Sequence, residues 1–411
     1  MSMPKKSYDT IKSSCKDCGA EFVITPDEQR RFKQIGYELP KRCPDCRKIR
    51  KEARKAAEKA EQERIAKQEV IKRKKKLQED EKALEALLPK LTYEKTELNN
   101  LHFDNPDKTL VVIGNGFDII HGVKSSYLDF EKTIGKNSSL RYNMETYLDT
   151  GDLWYNLEES LGKLNYSMFL NQEVLDMWLD LFDAYDPDAQ AADFFAAIET
   201  AISPTFDIPN ELNQRFTKWL KTLKVESDDR PFSMLKGNYK VLSFNYTEFI
   251  EDLYGADPNN ICYIHGCRKN RKKGQPDEII LGHKPGIEEE QWNKVDIRPI
   301  PFKNSYKRYI FDAAIDTAVR EAQWYDESTI KDCDKIIKNH KDFFNQLTEI
   351  KHVFIVGHSL ADVDYPYFEE IRKQSNSNTE WTIGYHSYDD LLRVKKLVEE
   401  LDIKNVTIFR T

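Results

Sequence analysis

Two groups of side chains in this sequence have the types and spacing to do chemistry. Four of the seven cysteines fall as Cys15-x2-Cys18 and Cys43-x2-Cys46. Two intervening residues let both thiolates of a pair reach one ion from a tight turn. Two such knuckles supply the four soft ligands of a closed, tetrahedral structural zinc site. The second group is a series of polar and glycine-rich stretches: Gly114-Asn115-Gly116-Phe117-Asp118, Phe244-Asn245-Tyr246-Thr247, Ile264-His265-Gly266 and Gly357-His358-Ser359-Leu360. Gly114 and Gly116 permit a tight turn and a close backbone approach of a phosphate. Gly122 comes eight positions after Gly114 rather than five, so the dinucleotide fingerprint G-x-G-x-x-G is not met.

Each of these stretches follows an apolar, β-branched run, at residues 109–113, 240–244, 261–264 and 352–356. In an open parallel sheet the residues just past the carboxyl ends of the strands line the ligand crevice. The pattern therefore predicts a nucleotide-sized site in an α/β fold with a Rossmann-like parallel sheet. Further strands are expected at 278–281, 381–385 and 406–409. Residues 127–235 read as helical, acidic and aromatic-rich, with Trp154, Phe169, Trp178, Phe182, Phe194, Phe195 and Trp219 as core. The region about 131–236 is expected as a helical insertion packed over the sheet. Ser125 or Ser126 is placed to cap a helix starting near Tyr127. Cys262, Cys267 and Cys333 lack a paired histidine motif and read as structural thiols.

The chain of 411 residues is long enough for more than one domain. Its net charge of −7 hides an asymmetry: residues 1–100 carry 26 Lys/Arg against 18 Asp/Glu, the rest 37 against 52. A basic arm on an acidic body suggests two parts with different partners. No apolar h-region follows Met1, and no stretch approaches the ~20 apolar residues of a membrane helix, so the expectation is a cytoplasmic protein that avoids membranes.

Residues 1–48 are expected to form the zinc ribbon, since so few apolar side chains need a staple and a reducing cytosol disfavours disulfides. Residues 49–88, rich in Lys, Arg, Glu, Ala and Gln, read as a charged helix. It is a solvated spacer held by pairs such as Glu63 with Lys67, or a nucleic-acid arm centred on Lys72 to Lys76. Its apolar positions keep a heptad for no more than two repeats, which leaves little for a coiled coil. Residues 89–107 read as a linker and 108–411 as the α/β domain. The stretch from Ser14 to Arg50 also resembles a family of zinc-ribbon domains of bacterial proteins, through Glu21-Phe22, Gly36-Tyr37 and Pro40-x-Arg42-Cys43-x-x-Cys46-Arg47.

The four stretches together, in their order, and with Asp364-x-x-Tyr367-Phe368 closing the last, resemble the AbiH family of bacterial abortive-infection proteins over roughly residues 108–410. That order is in turn similar to sirtuins, whose glycine motif, asparagine, catalytic His-Gly and final G-T-S-L line an NAD site. On this resemblance Gly114, Gly116 and Gly122 match the three glycines, Asn245 the asparagine, His265 the catalytic histidine, and Gly357, Ser359 and Leu360 the last motif. Asn115, Asp118, Lys124, Tyr127 and Phe244 depart from the sirtuin pattern, and no zinc module lies between His265 and Gly357. The resemblance thus carries the NAD pocket and leaves out the acyl-lysine channel.

It implies an anti-phage effector that binds NAD or a related nucleotide and hydrolyses it as an NADase. The turn at Gly114, Asn115 and Gly116 would bring backbone N–H groups to the pyrophosphate. Asn245 would orient ribose or water, with Thr247 beside it. His265 would act as general base by titrating near neutrality, and Asp118 would bond a ribose hydroxyl or the nicotinamide amide. His358 and Ser359 would hold the adenosine side or a phosphate, with Asp364 in the same pocket; His358 and Asp364 could also pair structurally. Two alternatives remain open. Asp118, His121, His265, His283, His358, Asp362 and Asp364 are ligand types that could gather a divalent metal for a nuclease. A non-catalytic nucleotide sensor could signal through the basic amino-terminal part, where a phage trigger, nucleic acid or self-assembly into a homo-oligomer would act.

Overall fold

In a computed structural model of the chain, the described residues are 9–29, 39–46, 48–49, 64, 74–170, 191–227, 229–269, 279–296 and 305–411. They divide into two units, Met1–Glu85 and Ala86–Thr411. The readings that involve Glu63, Lys67, Lys72, Trp178 and Phe182 lie outside the described residues, as does most of the expected charged helix. Its end, residues 74–87, is helical and carries the exposed i,i+4 pair Lys75–Glu79.

In the first unit, β1 (Ile11–Ser14) and β2 (Glu21–Ile24) pair antiparallel, with Ser14 opposite Glu21. The turn between them is the first cysteine knuckle. Gly19 lies in the left-handed region at φ 73°, a conformation glycine adopts without the Cβ penalty, and its N–H donates to the Cys15 carbonyl at 2.9 Å. Thr25 and Glu28 exchange side-chain and backbone hydrogen bonds, the capping-box arrangement that starts the next helix.

The second unit is built on a seven-stranded, wholly parallel sheet. Its strands are β3 (Glu94–Thr96), β4 (Thr109–Ile113), β5 (Lys240–Ser243), β6 (Ile261–Tyr263), β7 (His352–Val356), β8 (Glu380–Tyr385) and β9 (Asn405–Arg410). They lie in the order β3-β9-β8-β7-β4-β5-β6. Every residue of β4 is buried, as its unbroken Thr-Leu-Val-Val-Ile run requires of a strand covered on both faces. From β4 the chain winds outward to β5 and β6, then returns to the other side of β4 and winds through β7, β8 and β9. The switch point, where a parallel sheet opens its ligand crevice, is therefore between β4 and β7. No helix among the described residues is long and apolar enough to cross a membrane.

Two layers complete the unit. On one face Phe117, Phe232, Ile250, Phe354 and Phe409 form a core, joined by Leu98, Leu101 and Phe103. The segment expected to be a linker thus supplies both the edge strand β3 and part of this core. A larger cluster of aromatics and leucines, including Phe130, Trp154, Phe169, Phe216 and Trp219, is the expected helical layer. Its main element, helix Ala191–Leu220, packs against helix Ser305–Thr329, whose Ala314, Ala318 and Ala322 recur every four residues and let the axes approach. The strand expected at 278–281 does not form among its described residues. There Ile280 N–H donates to His265 O, and the pairing that follows is a single parallel bridge of His283 with Ile330.

Candidate functional site

The four cysteines meet. Their sulfur atoms all lie within 4.8 Å of one another, and Cys18 Sγ is 3.8 Å from Cys43 Sγ. Four thiolates at Zn–S ≈ 2.3 Å in a tetrahedron stand ~3.8 Å apart, so the group fits zinc. The Lys16 N–H donates to the Lys41 carbonyl at 3.0 Å and ties one knuckle to the other. Backbone amides of Cys43 and then Cys18 pull the Cys15 thiol down to about 6, while the neighbouring sulfurs of Cys18 and Cys43 push Cys46 up.

At the switch point the glycines do something other than expected. The Gly116 N–H donates to the Gly357 carbonyl at 2.7 Å and the Gly114 N–H to the Val356 carbonyl at 3.2 Å. A Cβ on Gly114 would lie 2.7 Å from the Gly357 oxygen, and one on Gly116 the same distance from Gly357 Cα. The two loops are packed backbone to backbone, and these N–H groups serve that packing rather than facing a pyrophosphate. Asn115 ties the same turn down by donating from Nδ2 to the Ser125 carbonyl, while Ser126 caps the helix Tyr127–Thr133 as expected. Gly122, at φ 77°, closes the turn after helix Asn115–Ile120 and abuts Ser227.

The predicted polar residues divide into two clusters along the stretch from Phe244 to Thr247. Asn245 and Thr247 point to Asp118: Asn245 Nδ2 donates to Oδ1 at 2.7 Å and the Thr247 hydroxyl to Oδ2 at 2.5 Å. Phe244 and Tyr246 face the histidines instead, with the Phe244 ring edge-on to His265 and to His358. Asp118, Asn245, Thr247 and His265 are all at most 4% exposed. Burial pushes the Asp118 carboxyl up to about 7, against the two hydrogen bonds that favour its charge. Burial, and next the Lys331 ammonium, holds His265 well below the ordinary histidine range. The group that titrates near neutrality is therefore Asp118, and His265 stays a neutral imidazole.

The second cluster contains residues that sequence reasoning missed. The fully buried Lys331 ammonium lies 2.7 Å from Glu158 Oε2 and 3.5 Å from Asp364 Oδ1. The Tyr127 hydroxyl donates to Glu158 Oε1 at 2.8 Å. His358 does pair with Asp364, Nε2 to Oδ2 at 3.5 Å, and its Nδ1 accepts the Leu360 N–H, so the ring proton sits on Nε2. His265 Nε2 is 3.2 Å from the Tyr367 hydroxyl and 3.8 Å from Asp364 Oδ1. Burial would raise Asp364, but Lys331 and the His358 bond outweigh it and hold its carboxyl below the usual range. A lone lysine or glutamate carries no motif, and only the fold brings these two together.

The remaining candidates go elsewhere. Ser359 is exposed, and its carbonyl accepts from Arg393 at 3.2 Å. His121 is in the core, bonded to the Phe117 carbonyl and the Tyr254 hydroxyl. Asp362 pairs with Lys396 near the surface, and His283 neighbours Glu288. Among the described residues the four cysteines are the one group with metal-ligand geometry, so the Asp/His set does not assemble as a metal centre. Cys262, Cys267 and Cys333 are buried, Cys333 donating to the Val363 carbonyl.

The raised Asp118 carboxyl has a measurable consequence. A group whose folded-state value exceeds its unfolded one stabilises the fold below the unfolded value, and that stability is lost as pH rises through the folded value. For Asp118 the window runs from 3.8 to about 7. Asp118→Asn keeps a neutral group able to accept from Asn245 and donate to Thr247. Its unfolding free energy is expected to match wild type near pH 4 and to exceed it by up to ~4 kcal/mol at pH 8, about three pKa units at 1.36 kcal/mol each. Unfolding curves of both proteins from pH 4 to 8 check this, and a difference that does not change with pH would show that the carboxyl is not titrating.

A family model described as "Bacteriophage abortive infection AbiH" matches residues 110–385, from the first buried residues of β4 to the end of β8. A second, described as "Probable treble clef domain", matches residues 11–55 around the four cysteines. No curated protein and no solved structure matches the chain significantly.

Proposed function

Because the chain belongs to the bacteriophage abortive infection family AbiH, we propose that it is a bacterial anti-phage effector that binds NAD or a related nucleotide and hydrolyses its nicotinamide–ribose bond. One observation carries this reading. Asn245 is fixed by donating to Asp118, and its other amide atom, Oδ1, is buried without a partner. A buried acceptor left unmade costs about 1–3 kcal/mol, which a ribose hydroxyl or a carboxamide N–H would recover. The orphaned oxygen lies beside a carboxyl poised at about 7, at the carboxyl ends of β4 and β5.

In the proposed reaction a water oxygen bonds to C1′ of the nicotinamide ribose as the C1′–N bond breaks. The bonding pair leaves with nicotinamide, and the water proton passes to the Asp118 carboxylate. Charge develops as an oxocarbenium-like ribose. Asn245 orients the ribose or the water. His265, neutral, accepts a hydrogen bond from a ribose hydroxyl in place of the base role its residue type suggests. Ser359, with the Arg393 side chain beside it, offers the exposed end of the crevice to phosphate. The reacting groups are closed off from solvent, which suits an enzyme that must stay silent until a phage trigger reaches it. The zinc unit and the basic segment after it are the parts that would receive that trigger, through nucleic acid or self-assembly.

Mass spectrometry of NAD incubated with the full chain, with and without phage extract, tests the reading. Nicotinamide and ADP-ribose are expected from wild type, and Asn245→Ala is expected to lower the rate by about 10²–10³-fold, the usual loss of an orienting polar group in a reacting centre. NAD left intact by wild type under both conditions rejects hydrolysis. Binding without turnover would then favour the sensor.

A further inference from the structure

The buried lysine has no part in the proposed chemistry, yet four other elements converge on it. Glu158 comes from helix Leu157–Leu161, Tyr127 from helix Tyr127–Thr133, His265 from the end of β6 and Asp364 from the turn Asp362–Asp364. Lys331 itself follows helix Ser305–Thr329. One atom links them: Asp364 Oδ1 is 3.5 Å from Lys331 Nζ and 3.8 Å from His265 Nε2. An imidazole beside a carboxylate oxygen ordinarily gains a proton, as the carboxylate stabilises its cation. Here that oxygen is already claimed by an ammonium with no exposed surface, and the carboxylate's other oxygen is claimed by His358 Nε2–H. Glu158 is occupied in the same way, by Lys331 on one oxygen and by the Tyr127 hydroxyl on the other, with Tyr246 at 3.5 Å. A buried ion cluster of this kind is rarely worth more to stability than apolar packing of equal volume, so its use lies in what it orients.

We propose that Lys331 is the positioning residue of the His265 site: by holding Asp364 Oδ1 and Glu158 Oε2 together, it denies His265 a carboxylate partner. Together with its burial, this keeps the imidazole a neutral acceptor beside the Tyr367 hydroxyl. The groups facing it are Lys331, Asp364, His358, Tyr367 and Tyr246, with Glu158 and His340 further out. Of these, Lys331 is the one fixed cation. The consequence for turnover rests on the NAD-hydrolysis reading; the effect on His265 does not.

The test is the titration of His265 by carbon-labelled histidine NMR on the full chain, with the resonance assigned by its loss in His265→Gln. Lys331→Met takes the ammonium from two buried carboxylates, so the paired variant Lys331→Met with Glu158→Gln is measured alongside it. In either folded neutral variant the His265 pKa is expected to rise by at least about one unit, since Asp364 then faces the imidazole unopposed. Lys331→Arg, which keeps the charge, is expected to leave it in place. If wild type hydrolyses NAD, protonation of His265 should add a second proton to the acid limb that Asp118 sets at about 7 and steepen it in the neutral variants, with KM little changed. A His265 titration unmoved in a folded neutral variant, an equal shift in Lys331→Arg, or failure of both neutral variants to fold would overturn the proposal. A wild type inert toward NAD would overturn the hydrolase reading alone, because the titration would still decide the role of Lys331.

Discussion

Gly357→Ala is expected to destabilise residues 86–411 by more than ~4 kcal/mol, enough to leave little folded protein at 37 °C. Two independent costs add at this position. Gly357 has φ 65°, which costs a residue with a Cβ roughly 1–2 kcal/mol. The added carbon would also overlap the Phe117 amide nitrogen and lie 2.5 Å from the Gly116 carbonyl carbon, and neither is a side chain that can rotate away. Relief requires parting the two loops, and with them the 2.7 Å bond from Gly116 N–H to Gly357 O and the adjoining β4–β7 register of Ile113 with Val356. Overpacking of this kind adds about 1–3 kcal/mol even where neighbours can yield. Gly135→Ala, whose Cβ would meet nothing within 4 Å, is the control and should stay within about 0.5 kcal/mol of wild type. Denaturant melts of the three proteins decide the matter. A Gly357→Ala protein as stable as the control would mean that the loops are not packed backbone to backbone.

That packing shows where the sequence could be read and where it could not. Strands β4, β7, β8 and β9 were legible because each is a β-branched run closed by a polar or glycine punctuation, a signal set by local sterics. The cysteine site was legible for a similar reason, since the reach of a thiolate fixes the spacing of a knuckle. Gly114, Gly116 and Gly357 were recognised as positions of close approach, but a glycine does not say what approaches it. The approaching group is the opposite loop. Edge strand β3 escaped notice because Glu94-Lys95-Thr96 is short and polar, and pairs only with β9 from the far end of the chain. Lys331 and Glu158 escaped because ion pairs 173 residues apart leave no periodicity. The identity of the group titrating near neutrality was misjudged for a physical reason too. Residue type favours a histidine, but burial raises a carboxyl and lowers an imidazole, and both Asp118 and His265 are buried.

Removing zinc from the four cysteines is expected to unfold the amino-terminal unit while residues 86–411 keep their own transition. Among the described residues the apolar core around the site is Phe22, Ile24 and the cysteines themselves, Cys15 and Cys43 buried and Cys46 packed alongside. So small a cluster cannot offset the entropy of ordering the chain around it, at about 1–2 kcal/mol per residue for the backbone alone. Structural zinc supplies on the order of 10–16 kcal/mol in small zinc-binding peptides at neutral pH, so the metal and the fold of this unit should be lost together. The chelated chain should release one zinc, and its Cys15 and Cys43 should react with a thiol reagent as fast as the exposed Cys18. Acid should act like the chelator, since each thiolate that binds the metal must give it up to take a proton. Cysteine reactivity and limited proteolysis, followed as zinc is withdrawn, provide the measurement. If Cys15 and Cys43 stayed protected after complete zinc loss, the unit would have to be held by contacts beyond its described residues. If the transition of residues 86–411 fell with it, the two units would be thermodynamically one, and the trigger proposed for the first would have a direct route to Asp118 and His265.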